Sequence, residues 1–336
     1  MKFFLEPKNE KHFNALYHSV LVILFSNFVQ VTWSWSYQEQ VQWPYDRSST
    51  ESNQCDGLNQ SPINIPIDYV HLNRSMKLSL INYDRPTNNF LVNNNGHSVQ
   101  FDYVGHSSAV PKLTGSALRN RKYRLAQLHF HWGSSRHQGS EHQINHREFP
   151  AEMHLVHFDE KYPSLTEALR AMDGSVTVLG VFIKIKNYNP DFEPIANILD
   201  HFYYDPERIE RQLQSEINLK KFLPKQYERF YRYRGSLTTP PCTEGLIWLV
   251  LSQPIEISSS QLKKFWPIFD PKTGDKLANN FRDLQDLNDR LIESSFEIGN
   301  ENKSTQLLSS CHKNLLLIII LINSIVFNFT KINLGH

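Results

Sequence analysis

Cysteine, excess charge and long unbroken apolar runs are all scarce in this chain of 336 residues, and each scarcity narrows what it can be. The three cysteines never form a Cys-x-x-Cys pair, so a cysteine-framed structural zinc module is not expected. The net charge of +1 reflects nearly balanced acids and bases. One short basic run, Arg119, Arg121, Lys122 and Arg124, has no counterpart elsewhere, and a nucleic-acid partner is therefore not expected. Between residues 35 and 295 no repeat, low-complexity linker or composition break marks a second domain. A hydrophobic content of 40% is enough to build a substantial core and excludes a disordered chain.

The two ends differ from this middle. A lysine-containing leader precedes "VLVILF" from Val20 to Phe25, the apolar character continues to Val31, and the small residues Thr32 and Ser34 follow. That pattern predicts a secretory signal peptide over residues 1–34. Ser26, Asn27 and Gln30 argue against the alternatives, an uncleaved anchor or a core helix. At the other end, residues 296–336 combine a polar spacer with "NLLLIIILINSIVFNF" from Asn314 to Phe329, broken by Asn323 and Ser324. This reads as the attachment signal of a glycosylphosphatidylinositol (GPI) lipid anchor, joined somewhere between Ser294 and Ser310; the alternative is a marginal transmembrane helix with Lys331 beyond it. The expectation is a protein of the secretory pathway held at the extracellular face of the plasma membrane. Processing of the tail would discard Cys311, leaving Cys55 and Cys242 as either a disulfide in an oxidising compartment or two buried thiols.

Short alternating or apolar runs dominate the middle: "HSVQFDYV" from His97, "LAQLHFHW" from Leu125, "AEMHLVHF" from Ala151, "VTVLGVFIKI" from Val176 and "EGLIWLVLSQPI" from Glu244. Clusters of Gly, Pro and Asn separate them, as strands and loops require. Helix signals are few, after caps at Ser164 and Ser258. The fold class expected is mainly β (α+β): one domain with a large sheet and short surface helices.

Two histidines with one residue between them, His129 and His131, share one face of a strand. His154, with Glu152 and Val156 on its own face and His157 on the other, joins them if the two strands are neighbours. Three neutral imidazoles form an open zinc site whose fourth position is left to water, the mark of a catalytic centre. Gln127 and Glu152 lie on the same faces as these histidines and are placed to orient them.

The segments "QSPINI", "NNGH", "QLHFHWGS", "GSEH", "AEMHLVH" and "GSLTTPPCTEGLIWLV", in this order and spacing, resemble the alpha-class carbonic anhydrases over nearly all of residues 35 to 295, in particular their secreted or membrane-anchored branch. The resemblance implies a central, twisted, mostly antiparallel sheet of about ten strands and the reversible hydration of carbon dioxide to bicarbonate and a proton by zinc-bound hydroxide. It implies His129, His131 and His154 as zinc ligands, with Gln127, Glu152 and the backbone carbonyl near Asn280 as their orienting partners. Thr238 and Glu141 become the gatekeeping pair that positions the nucleophile, and His97 the proton shuttle. Val156, Val178, Leu237 and Trp248 form the wall of the carbon dioxide pocket, with Thr238 and Thr239 beside it. Primary sulfonamides and anions are the inhibitors expected, and Cys55 and Cys242 match the family's disulfide. The chain departs from the family at "WSYQEQVQW", which lacks a Gly-Pro-Glu-His stretch, at "DGSVTVLG", one residue longer, and at Asp283, where a proline is usual. Among the sequons at Asn59, Asn73 and Asn302, Asn73 is the glycosylation site expected, since Asn59 runs into the buried "QSPINI" segment. The alternative function is a catalytically weak carbonic anhydrase-like binding module, distinguished by loss of the metal; ester hydrolysis is a plausible side reaction of the same site.

Overall fold

The computed structural model describes residues 35–45, 52–203 and 210–299. The centre of the sheet is built from β1 (Phe90–Asn94), β2 (Val99–Tyr103), β3 (Tyr123–Trp132), β4 (Ala151–Asp159), β5 (Val176–Ile185), β6 (Phe230–Ser236) and β7 (Glu244–Leu251); β2, β3, β4, β5 and β7 are the runs read as strands, whereas β1 and β6 were not read from the sequence. They lie in the order β1, β2, β3, β4, β5, β7, β6. The pair Arg211–Gln212 flanks β1, while Glu293–Ser294 and then His71–Leu72 extend the sheet beyond β6. This ten-strand path is mostly antiparallel, as expected, with a parallel pairing of β5 to β7 at its centre and another between Glu293–Ser294 and His71–Leu72.

Period-two alternation divides the side chains between two cores. Leu128, Phe130 and Trp132 of β3, with Met153 and Leu155 of β4, pack into the larger core on one face. Val156 and Phe158 of β4, Val178 and Phe182 of β5, and Trp248 of β7 belong to the core on the other face, where the site lies. Every residue of β4 is buried, so this strand is covered on both sides. Phe296 and Ile298 pack against the second core, so the packed chain continues past residue 295.

Both expected caps hold short helices. Ser164 accepts the Glu167 backbone N–H at the start of Leu165–Ala171, and Ser258 forms a reciprocal capping box with Gln261 at Ser259–Leu262. Among the described residues no helix is long and apolar enough to cross a membrane. The leader read over residues 1–34 and the tail from residue 300 onward lie outside the described residues.

Candidate metal centre

Antiparallel pairing of β3 with β4 sets His129 directly opposite His154, and His131 opposite Glu152. A register shift between Leu125 and Gln127 brings Gln127 opposite Val156 on the same face. Directly opposed residues are close neighbours, and one ring nitrogen from each of His129, His131 and His154 lies within 4.8 Å of the others.

The second nitrogen of each ring is engaged by an oxygen. His129 Nδ1 donates to Gln127 Oε1 (2.8 Å), His131 Nδ1 to the Asn280 carbonyl (2.7 Å) and His154 Nε2 to Glu152 Oε1 (2.8 Å). These acceptors fix the tautomers and leave Nε2, Nε2 and Nδ1 as the free lone pairs. His131 Nε2 is buried with no hydrogen-bond partner, as a nitrogen suited to ligating a metal would be. Burial, then the neighbouring imidazoles, hold the His129 pKa well below its ordinary value; burial and then His154 bring His131 down to about 3; burial lowers His154 against the opposing pull of Glu152. His129 alone keeps part of its surface open, toward the cleft. Neutral, converging and oriented by acceptors, the three rings fit a divalent metal of borderline softness.

The orienting network is larger than the sequence suggested. Glu152 also accepts from the backbone N–H and Nδ1 of His142, both at 2.8 Å. Tyr233 donates its hydroxyl to His142 Nε2 (2.7 Å) and lies 2.7 Å from Ser61 Oγ. Burial alone would raise the Glu152 pKa, but the His142 and His154 imidazoles override it and hold the carboxyl well below its ordinary range. Gly180 of β5 faces His154, and a Cβ there would come within 3.0 Å of Glu152 Oε1, so the strand is bare where the carboxylate needs room. Sequence reading missed His142, Tyr233 and Ser61. The one available signal was His142 beside Glu141, ten residues before its partner Glu152.

Glu141 is fully buried. Its Oε1 accepts the Arg282 backbone N–H at 2.8 Å, while its Oε2 has no hydrogen bond of good geometry. Burial pushes its pKa well up, and Thr238 and the Arg282 N–H pull the other way. Thr238 is thus a neighbour of this carboxyl, whose Oε2 is the oxygen without a hydrogen-bond partner. The Asn280 carbonyl accepts from His131 Nδ1 with Asp283 three residues on, and the Asn280 side chain also ties Trp132 N to the carbonyls of His97 and Phe130.

The three histidines line a cleft of ≈220 Å³. Val156, Val178, Leu237, Thr238, Thr239, Trp248 and His97 all line it, together with Leu165 and Leu169 from the first helix, which the sequence reading did not name. Within that lining the His97 ring stacks on Trp35, centroids 3.6 Å apart. Cys55 and Cys242 form a disulfide. Asn73 is half-buried, and its amide nitrogen donates to Glu293 (2.7 Å); Asn59 is exposed, but Ser61 of its sequon is fully buried.

A family model described as eukaryotic-type carbonic anhydrase matches residues 38–296. Among curated proteins, the chain is 33% identical to carbonic anhydrase 6 of Homo sapiens over 288 residues, covering 82% of this chain and 89% of that protein. It is 35% identical to carbonic anhydrase 6 of Canis lupus familiaris over 269 residues, 78% and 80% of the two chains. With carbonic anhydrase 12 of Homo sapiens it shares 34% identity over 251 residues, 72% and 68%.

Proposed function

Because this chain belongs to the eukaryotic-type carbonic anhydrase family, we propose that it is a zinc enzyme hydrating carbon dioxide to bicarbonate and a proton at the cell surface. The observation that carries this reading is the convergence of three neutral imidazoles, each held by an acceptor on its other nitrogen. Zinc held there supplies a Lewis acid that makes water acidic enough to ionise near neutrality, a property for which carbonic anhydrase is itself the standard example and not a value obtained from this chain.

The protein's own groups do the rest. Glu141 Oε2 is the acceptor available to the Thr238 hydroxyl, because Oε1 is already taken by Arg282 N–H. With its proton directed at Glu141, Thr238 presents only lone pairs to the cleft. It can then accept the nucleophile's hydrogen and turn the reacting lone pair toward the substrate carbon, a positioning role. Val156, Val178, Leu237 and Trp248 offer carbon dioxide an apolar seat beside the imidazoles. His97 lines the same cleft, which supports a role in taking up the product proton through water, since imidazole exchanges protons near neutral pH.

The Cys55–Cys242 disulfide suits an oxidising compartment, and with the leader and tail read from the sequence it supports a GPI-anchored extracellular enzyme. Treating cells with a phospholipase specific for inositol anchors should release the protein; retention would favour a transmembrane tail.

The decisive experiment combines metal analysis with stopped-flow hydration assays. One equivalent of zinc and rapid proton release, blocked by a primary sulfonamide, are expected; a metal-free, inactive native protein would reject the reading in favour of a binding module. His97→Ala should slow hydration in weak buffer, with imidazole restoring the rate, and an unchanged rate would remove the shuttle.

A further inference from the structure

A second cleft, of ≈320 Å³, has a different chemistry: four arginines, Arg119, Arg232, Arg234 and Arg290, line it with a single carboxylate, Glu293. Arg232 and Arg234 are two apart on β6 and share a face, directed away from the neighbours of the metal centre. Tyr233, between them, lies fully buried and gives its hydroxyl to His142 on the other side.

The carboxylate is already committed. Glu293 accepts from Arg232 Nε at 3.0 Å and from Arg232 Nη2, and also from Asn73 Nδ2 at 2.7 Å. Arg232 gives its remaining arm to the Ala117 carbonyl (2.8 Å). Arg290 is pinned by three backbone carbonyls, those of Leu287, Arg234 and Asp286. Arg119 and Arg234 make no ion pair or side-chain hydrogen bond among the described residues, and both are exposed. The basic run evident in the sequence explains this only in part. Arg121 pairs with Asp159 at 3.5 Å and Arg124 lies over the Phe158 ring, and of the run Arg119 is the member that lines the cleft. Its backbone, at φ 54°, is the left-handed end of the turn Ser116–Leu118.

Two unpaired guanidinium forks beside two immobilised ones match the planar, paired donors that phosphate and sulfate oxygens accept. The cleft is larger than one oxyanion needs, and Leu291, 54% exposed, offers apolar contact to whatever carries the charge. No nucleophile or uncommitted carboxylate lines it, which points to binding and not to chemistry. We infer that this cleft is a binding site, separate from the metal centre, for a phosphate or sulfate ester on a small organic body, gripped by Arg119 and Arg234.

The test is calorimetric titration of the purified protein with glucose 6-phosphate, inorganic phosphate and glucose, with a primary sulfonamide present to occupy the metal centre. One saturable site is expected, tighter for the ester than for inorganic phosphate and silent toward glucose. Arg119→Asn, a residue that tolerates the left-handed backbone, and Arg234→Thr, suited to a strand, should each weaken binding about tenfold or more. Lys225→Ser, which removes an exposed charge outside the cleft, should leave it unchanged. Equal affinity for ester and free phosphate would overturn the ester and leave a free-oxyanion site. Absence of saturable binding, or an equal loss in Lys225→Ser, would overturn the site itself.

Discussion

Two histidines three positions apart on β4 have opposite fates. His154 faces the cleft, whereas His157 points into the larger core, donating from Nδ1 to the Leu155 carbonyl and accepting the Tyr83 hydroxyl at Nε2 (2.6 Å). Burial brings the His157 pKa down to about 3. The unfolded chain, with its histidine near 6.5, therefore binds more protons than the fold between those values. Stability contributed by keeping His157 neutral is present above about pH 6.5 and is lost as pH falls toward 3, at about 1.4 kcal/mol per pH unit. Urea unfolding at several pH values should show a shallower acid slope for His157→Leu than for wild type, whatever the variant's lower baseline. Equal slopes would mean that His157 is already charged in the fold. At this scale the sequence made the face of each histidine legible, because strand alternation is a local rule. It did not reveal His142, whose importance depends on a turn that brings it back onto Glu152.

At the scale of elements, Asp283, where the resemblance implies a proline, has a physical role. Proline has no backbone N–H, but Asp283 donates one to Gln40 Oε1 (2.8 Å), and Gln40 Nε2 donates to the carbonyls of Tyr37 and Phe281. One glutamine thus fastens the 3₁₀ segment Tyr37–Tyr45 to the stretch carrying Asn280 and Arg282, which orient His131 and Glu141. That 3₁₀ segment overlaps "WSYQEQVQW", one of the stretches read from the sequence as departing from the resemblance. Loss of these bonds in Gln40→Ala should cost about 1–2 kcal/mol, a fall in Tm of roughly 2–4 °C or somewhat more. Asp283→Pro should fall similarly and Asp283→Asn very little, since the amide hydrogen is what matters; thermal unfolding with a large loss in Asp283→Asn would count against the staple. The strands β2, β3, β4, β5 and β7 were visible from their periodicity or apolar runs, while β1 and β6 were not read. The two-residue strands at the sheet edges were not, because two residues carry no period.

For the molecule as a whole, the Cys55–Cys242 bond spans a sequence separation of 187 and joins a small aromatic core of Tyr37 and Trp43. Cys242 also closes the turn after Thr238 and Thr239, its N–H bonded to the Thr239 carbonyl at 2.8 Å. Chain-entropy arguments put an upper figure of about 5 kcal/mol on a loop of this length, and native disulfides are worth about 2–5 kcal/mol when removed. The double variant Cys55→Ser, Cys242→Ser should therefore unfold at lower denaturant and, by loosening the Thr238 turn, lose activity before it unfolds. Equal midpoints for wild type and variant would exclude this role.

The sequence by itself determined the family, the strand-rich class and the three histidines that converge, because each rests on local alternation or on a motif of fixed spacing. Only the tertiary structure decided which oxygen holds the far nitrogen of each ring, how His142 and Tyr233 buttress Glu152, and that Arg119 shares a cleft with Arg234. Those depend on chain segments up to 149 positions apart meeting in space, as His131 and Asn280 do. Burial then settles which groups are neutral, which are ionised and which are left unpaired.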